Sequence, residues 1–350
     1  MLEHLMRELV THLSKGRHLT PKQIVEAAAF LVDRAPTPET KAAFLKALSA
    51  KGETPDEIAG FVNEFLKLAV EPGIDPKKLQ GPMLDVVGTG GDKLNLFNIS
   101  TTAVFILAGG GVSMVKHGNR GITSKSGGAD VLEALGVKLD LPPANLARCV
   151  HETGVGFVFA PLYHPSFAAV KDARALLAKE GLRSIFNILG PLLNPARPDY
   201  QLVGVFDKAL TNAFGEILLK LGRKAAWVVH GTAGPEQGMD ELSTLGKNEV
   251  VQVKDGAVTT FSLDPADLGY DLPRLEELAG GDATINADIL EGILACRIKG
   301  PKRDIAVFNA AAGFVITGKA PDIGEGRRLA EDVLERGAAH ARLKALQNFV

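Results

Sequence analysis

At 350 residues, the chain is long enough for about two domains at the usual ~150 residues each. Its hydrophobic share of 46%, charged share of 23% and net charge of −2 exclude a disordered or collagen-like polymer, and they lack the basic excess of a generic nucleic-acid or membrane-surface binder. Glycine is the one departure, with 38 residues where a usage of about 7% would give roughly 25.

The opening MLEHLMRELV carries Glu3, Arg7 and Glu8, which interrupt any apolar run, so no signal peptide is expected. Leu2, Met6, Leu9, Val10 and Leu13 recur at helical spacing. Three further helices are predicted from Thr20-Pro21, Thr37-Pro38 and Thr54-Pro55, because threonine caps a helix and proline suits its first turn. Gln23 and Glu57 stand three residues after Thr20 and Thr54, completing two capping boxes. This helical module closes by about Val70, and Pro72-Gly73, Pro76 and Pro82 mark a linker.

From Met83 the pattern changes to alternating strands and helices. A strand over Met83 to Val87, the loop Gly88-Thr89-Gly90-Gly91-Asp92, a helix over Ile99 to Ala108 and a strand over Val112 to Lys116 make the unit of a parallel α/β sheet. Val155 to Ala160, Gln201 to Val205 and Ala225 to Val229 read as further strands, with a helix at Leu210 to Leu221. Val250 to Phe261 reads as a hairpin, and Ile285 to Ile298 and Gly326 to Leu346 read as late helices. One stretch breaks the alternation: Ser166 to Lys179 and Ser184 to Leu193 predict two consecutive helices with no strand between them. The longest largely apolar stretch, Ala103 to Val115, is too short and glycine-rich to span a bilayer. Cys149 and Cys296 lack CxxC spacing, so two small buried apolar side chains in a soluble cytoplasmic protein are expected.

The glycine surplus has a location, since Gly88 to Gly136 holds 11 glycines in 49 residues. Between Lys93 and Ala129 there is no Asp or Glu, while Lys93, Lys116, His117, Arg120 and Lys125 are present. Glycines at a strand-to-helix turn let backbone amides approach phosphate oxygens, and the helix adds its positive end. An anion is therefore predicted here. Taken singly, Gly88 to Asp92 could be a tight turn and Asn98-Ile99-Ser100-Thr101 an ordinary helix cap. Lys116 through Asp130 lies at the carboxyl end of a strand, where open α/β sheets bind ligands.

Together, Gly88-Thr89-Gly90-Gly91-Asp92, Phe97-Asn98-Ile99-Ser100-Thr101, Lys116-His117-Gly118-Asn119-Arg120, Ser124, Ser126-Gly127, Ala129-Asp130 to Gly136, Phe186-Asn187, Gly190-Pro191-Leu192, Asn194-Pro195 and Asp240-Glu241-Leu242-Ser243 resemble the anthranilate phosphoribosyltransferase family over essentially the whole chain. The resemblance implies an α/β fold in which a small helical domain is hinged to a larger α/β domain with a mainly parallel sheet. The helical domain would comprise residues 1–82 and the helix pair 166–195, and the α/β domain residues 83–165 and 196–350. The implied activity moves the phosphoribosyl group of phosphoribosyl diphosphate to the anthranilate amine, on the route to tryptophan.

The implied donor site is Gly88, Gly91, Asp92, Asn98, Ser100, Thr101, Lys116, Asn119, Ser124 and Gly128. The implied acceptor site is Gly88, His117, Asn119 and Arg174, and Mg2+ would be held by Ser100, Asp240 and Glu241. Two carboxylates facing a polyanion need a cation between them, although an Asp-Glu pair alone would read as a solvated turn. No residue is assigned as acid or base. A homodimer through the helical domain is implied, with neither nucleic acid nor membrane as partner. Leu96, Gly128 and Phe167 depart from the family's threonine, serine and methionine, and about three extra residues near Ala178-Lys179-Glu180 follow Arg174. The alternatives are a pyrimidine nucleoside phosphorylase-like enzyme, which would not need Asp240-Glu241, and a non-catalytic nucleic-acid-binding relative, which would need a basic surface.

Overall fold

A computed structural model describes residues 2–121, 125–234 and 237–350. Four helices come first: α1 (Leu2–Ser14), α2 (Pro21–Val32), α3 (Pro38–Lys51) and α4 (Pro55–Lys67). The threonine-proline starts work as expected, with Thr20, Thr37 and Thr54 accepting from the backbone of Gln23, Thr40 and Glu57, and with both capping boxes formed. Phe30, Phe44, Phe61 and Phe65 are fully buried between these helices, and each aromatic buried this way contributes roughly 1.5–3 kcal/mol.

The α/β part runs β1 (Met83–Gly88), α5 (Ile99–Gly109), β2 (Ser113–Gly118), α6 (Gly128–Ala134), α7 (Pro143–Thr153), β3 (Val155–Phe159), α8 (Ala160–Tyr163), α9 (Lys171–Lys179), α10 (Phe186–Leu189), β4 (Tyr200–Gly204) and α11 (Thr211–Lys220). It continues as β5 (Ala225–Gly234), β6 (Gln237–Met239), β7 (Asn248–Lys254), β8 (Ala257–Leu263), α12 (Ala283–Leu294), α13 (Pro301–Ile316), α14 (Ile323–Glu335) and α15 (Ala338–Gln347). Among the described residues, the strands form one sheet in the order β3-β2-β1-β4-β5-β7-β8, with β6 also paired to β5. The first five are mutually parallel, and β6, β7 and β8 pair antiparallel.

Two apolar layers clothe the sheet. On one face Val203, Val205, Ala226 and Val228 join the helical bundle's core through α11 and the inserted segment; on the other, Leu84, Val86, Leu202 and Trp227 pack with α5 and α13. Lys41 ties bundle to insertion: its buried ammonium donates to Asp33 O at 2.5 Å and Ala169 O at 2.7 Å.

Several sequence expectations need correction. The pair predicted over Ser166 to Leu193 is one proper helix, α9, preceded by the 3-10 stretch Pro165–Val170 and followed by short turns at Phe186–Leu189 and Gly190–Leu192. Pro165, Pro191 and the Gly181 break leave no room for two long helices. Gly326 to Leu346 is two helices meeting at Gly337, whose φ of 72° ends the first. α7 and α13 were not anticipated. Cys149 is buried as expected, but Cys296 is only half-buried.

Candidate active site

The chain leaves β1 toward β2 and β3 on one side, and leaves β4 toward β5 on the other, so the carboxyl ends of β1 and β4 form the switch point of the sheet. Open parallel sheets leave a crevice at such a point. Gly88 ends β1, Gly204 ends β4, and the two are partners in register. The Asp240 loop lies directly over them. A Cβ at Gly88 would collide with the Asp240 carboxylate, and one at Gly204 with the Asp240 backbone carbonyl. The missing side chains at these two positions are what lets the loop descend onto the sheet.

Asp240 Oδ2 accepts from Gly90 N at 2.6 Å, and Glu241 Oε1 accepts from Ser100 N, in the first turn of α5, at 3.1 Å. Burial, with Asp92 and Glu241 close by, holds the Asp240 carboxyl well above the usual carboxylate range. Burial likewise pushes Glu241 up to about 7, against the pull of the Lys116 ammonium. Lys116 is itself buried, donating to Val86 O at 2.5 Å and Ser100 Oγ at 3.3 Å, and burial lowers its pKa despite Asp85, Glu241 and Asp240. Asp92, Asp240 and Glu241 thus crowd one another beside Lys116, an arrangement that a small cation would relieve. Among the described residues no group of three or more His, Cys, Asp or Glu is arranged to hold a metal by itself. An open cavity of about 700 Å3 begins at Asp92 and runs past Phe206, His230 and Lys247, a volume suited to a small ligand.

Two of the residues predicted for the acceptor, His117 and Arg174, lie at the inserted segment. His117, at the end of β2, is buried; because its Nδ1 lies 3.2 Å from Gly190 O, that nitrogen carries the proton and Nε2 is left as an acceptor without a partner among the described residues. His164 meets its ring edge-on at 5.2 Å, Phe167 stacks on His164, and Phe186 meets Phe167 edge-on. Arg174 on α9 is half-buried above the Phe186 ring at 5.5 Å and has no ion-pair partner among the described residues. A row of packed rings ending in a guanidinium without an ion pair suits the neighbourhood of a flat aromatic acid.

Burial, helped by His164 nearby, pushes the His117 pKa down to about 3. An unfolded histidine takes up its proton near pH 6.5, so the unfolded chain binds the extra proton between pH 6.5 and 3 and stability falls as pH falls through that window. His117→Gln is expected to flatten the loss of stability between pH 6.5 and 4.5 by up to about 1.4 kcal/mol per pH unit. Denaturant melts at stepped pH would read this, and an unchanged slope would refute it.

The remaining predicted residues fall into three groups. Thr101, Lys116 and Gly128 come together: a Cβ at Gly128 would lie 3.4 Å from Thr101 Oγ1 and 3.5 Å from Lys116 Cε. Gly91 stands in the loop after β1 against Phe206, while Asn119 is exposed, its Oδ1 accepting from Arg120 N at 2.8 Å. Ser124 lies outside the described residues. Two readings need amendment. Asn98 does cap α5 by position, but its side chain does not; it donates to Ser126 O at 3.2 Å and accepts from Asn286 at 3.0 Å. Arg120, counted among the cations awaiting an anion, is engaged by Glu133 through both terminal nitrogens, at 2.5 and 3.0 Å.

Sequence reasoning missed the residues that support the site. Asp85, inside β1, accepts from His117 N at 3.3 Å and Asn194 Nδ2 at 3.0 Å. Asn286, Asn248 and Asn309 are fully enclosed amides from elements far along the chain. A polar residue within an apolar run, such as Asp85 in Met83–Gly88 or Asn309 in Ile305–Ile316, was the available signal.

Comparison with known proteins gives a consistent result. The helical bundle domain of a glycosyl transferase family matches residues 7–69, and the a/b domain of a glycosyl transferase family matches residues 80–340. The anthranilate phosphoribosyltransferase of Moorella thermoacetica is 41% identical over 347 residues, covering 99% of this chain and 98% of that one. The enzyme of that name from Methanocorpusculum labreanum is 46% identical over 308 residues, or 88% and 86% of the two chains. Among solved structures, the Thermus thermophilus anthranilate phosphoribosyltransferase superposes with a TM-score of 0.88 at 39% identity, covering 97% of this chain and 98% of that one. The Saccharomyces cerevisiae enzyme, in complex with PRPP (phosphoribosyl diphosphate) and Mg, does so with a TM-score of 0.86 at 25% identity, covering 97% and 96%.

Proposed function

We propose, from the premise that this chain belongs to the anthranilate phosphoribosyltransferase family, that its phosphoribosyl transfer to anthranilate depends on Mg2+ and is divided among three sets of side chains. The reaction, a step of tryptophan biosynthesis, breaks the bond from the ribose anomeric carbon to diphosphate and forms a bond from that carbon to the anthranilate nitrogen. Positive charge grows on the ribose as the diphosphate leaves, so electrostatic support of the leaving group is the main requirement.

The donor set is Gly88, Gly91, Asp92, Asn98, Ser100, Thr101, Lys116, Asn119, Ser124 and Gly128. The glycine loop supplies close backbone amides, and the start of α5 supplies the positive end of a helix dipole. Asp240, Glu241 and Ser100 would hold the metal, which when bound neutralises charge on the diphosphate oxygens. The observation that carries this reading is the crowding of Asp240 and Glu241 at the switch point, where burial disfavours their charges and an ion would restore balance. The yeast relative's complex with PRPP and Mg supports it.

Gly88, His117, Asn119 and Arg174 form the acceptor set. The yeast relative's complex with 4-fluoroanthranilate supports an aromatic acid as the second substrate. Arg174 would fix the carboxylate while the row of packed rings orients the substrate's ring. The amine of anthranilate is already neutral near pH 7, so the nucleophile needs positioning more than activation. Homodimer pairing through the helical domain and a cytoplasmic setting complete the reading and rest on the family likeness. Among the described residues no helix is long and apolar enough to cross a membrane.

The direct test is the loss of anthranilate fluorescence with PRPP and Mg2+, which should stop on chelation. In the same assay Arg174→Ala is expected to raise the KM for anthranilate about 10–100-fold, the equivalent of one charge-assisted hydrogen-bonded contact. The KM for PRPP should stay within about twofold on the same reasoning. Equal effects on both substrates would remove Arg174 from the acceptor set.

A further inference from the structure

We propose that Asn309 and Asn248 are positioning residues for the transfer, locking the backbone behind Asp240-Glu241 so that both carboxylates stay aimed at the crevice. The inference rests on the metal role proposed above. Two consecutive residues of that loop are each gripped at both backbone groups by one buried side-chain amide. Asn309, in the middle of α13, accepts from Leu242 N at 3.0 Å and donates to Leu242 O at 2.9 Å. Asn248, the first residue of β7, accepts from Ser243 N at 2.6 Å and donates to Ser243 O at 2.9 Å.

A side-chain amide can satisfy a backbone N–H and C=O together, because it offers an acceptor and a donor in one plane. Both asparagines are themselves tied down. Asn309 also donates to Ile305 O at 2.9 Å, and Asn248 to Gly246 O at 3.1 Å. Ser243 adds a bond from its hydroxyl to Thr232 O at 2.6 Å. Asn309, Asn248, Leu242 and Ser243 are completely enclosed, so water cannot replace these contacts.

The need for such a clamp follows from the charges in front of it. Asp240 and Glu241 are adjacent acids on one loop, and a free loop would swing its carboxylates out toward water. Gly90 N and Ser100 N hold the carboxylates from the front, and the two asparagines hold the main chain from behind. The clamp acts through the loop and touches no reacting atom.

The experiment compares wild type, Asn309→Leu and Asn309→Ser with Phe308→Leu, a neighbouring core change on α13. Mg2+ titrations of activity give the half-saturating concentration, and calorimetry of PRPP binding in the presence of Mg2+ gives a readout independent of turnover. Both Asn309 variants are expected to raise half-saturating Mg2+ and weaken calorimetric binding by about 10–100-fold, the usual cost of losing a partner that orients a ligand. The KM for anthranilate should hold within about twofold, since the acceptor slot is untouched. Asn309→Ser, with a hydroxyl and space for water, keeps the test open if the leucine variant does not fold. Phe308→Leu should lower the melting temperature without moving either Mg2+ readout. Mg2+ readouts that match wild type, or a KM for anthranilate that rises in parallel, would overturn the inference alone. A wild type indifferent to Mg2+ would overturn the metal reading and this inference with it.

Discussion

Replacing Asp240 by Asn and Glu241 by Gln in one chain is expected to lower kcat by about 10²–10³-fold while making the free protein more stable. The amides keep the shape of the site, since each retains an oxygen to accept from Gly90 N and Ser100 N. What they lose is negative charge, and with it the Mg2+ dependence of whatever activity survives. The stability gain follows from proton linkage. Both carboxyls hold their protons to higher pH in the folded chain than in the unfolded one, Glu241 to about 7. The folded state therefore binds more protons than the unfolded state from about pH 4 upward, and wild-type stability falls as pH rises through this window. At pH 8 without divalent ions the double variant should be more stable by on the order of 1–3 kcal/mol. Near pH 4 the difference should vanish. Thermal melts at the two pH values check this, and a variant that is less stable at pH 8 would refute the electrostatic account.

Gly204→Ala is expected to disable the enzyme although residue 204 carries no functional group. Its new methyl would press into the backbone carbonyl of Asp240, and backbone held from behind by Asn309 and Asn248 has little freedom to retreat. Overpacking of this kind costs about 1–3 kcal/mol. Lifting the loop by even an ångström would cost about 10²-fold in rate. Stability from chemical denaturation and kcat with saturating substrates give the two numbers. Retention of full activity would show that the loop is not seated on the sheet as described.

Much of the fold was legible because its signals are local. Threonine-proline pairs and capping boxes announce helices through a few adjacent residues, and Thr20, Thr37 and Thr54 all act as caps. Gly88 to Asp92 between a strand and a helix announced the crevice in the same way. The failures share a different cause. α13 is apolar almost all round, so it shows no amphipathic stripe to mark it. The Ser166 to Leu193 segment has helical composition, yet its prolines and glycines break it into turns whose shape is decided by packing against α2 and α3.

The candidate residues could be picked out through family likeness, while the buried groups that hold them in place could not. Asp240-Glu241 stood out through family likeness, while nothing in the neighbourhood of Asn309 or Asn248 indicates that they meet residues 242 and 243. Arg120 sits in the acid-free window, and Glu133, which holds it, lies just beyond the end of that window. Asn98 was misread as a capping side chain because Asn286, its partner, comes 188 residues later.

That long reach bears on how the enzyme comes into being. Strands β1 and β4 can offer their paired glycines once residue 204 is made, and the carboxylates follow at 240 and 241. The amide that closes the clamp on Leu242 arrives only with residue 309, inside a helix that must dock into the core of the sheet before it can reach the loop. A chain emerging from the ribosome therefore carries every residue assigned to donor, metal and acceptor well before it can hold them in place. A chain that ends before residue 309 would carry the whole set of assigned groups and still lack the amide that closes the clamp on Leu242.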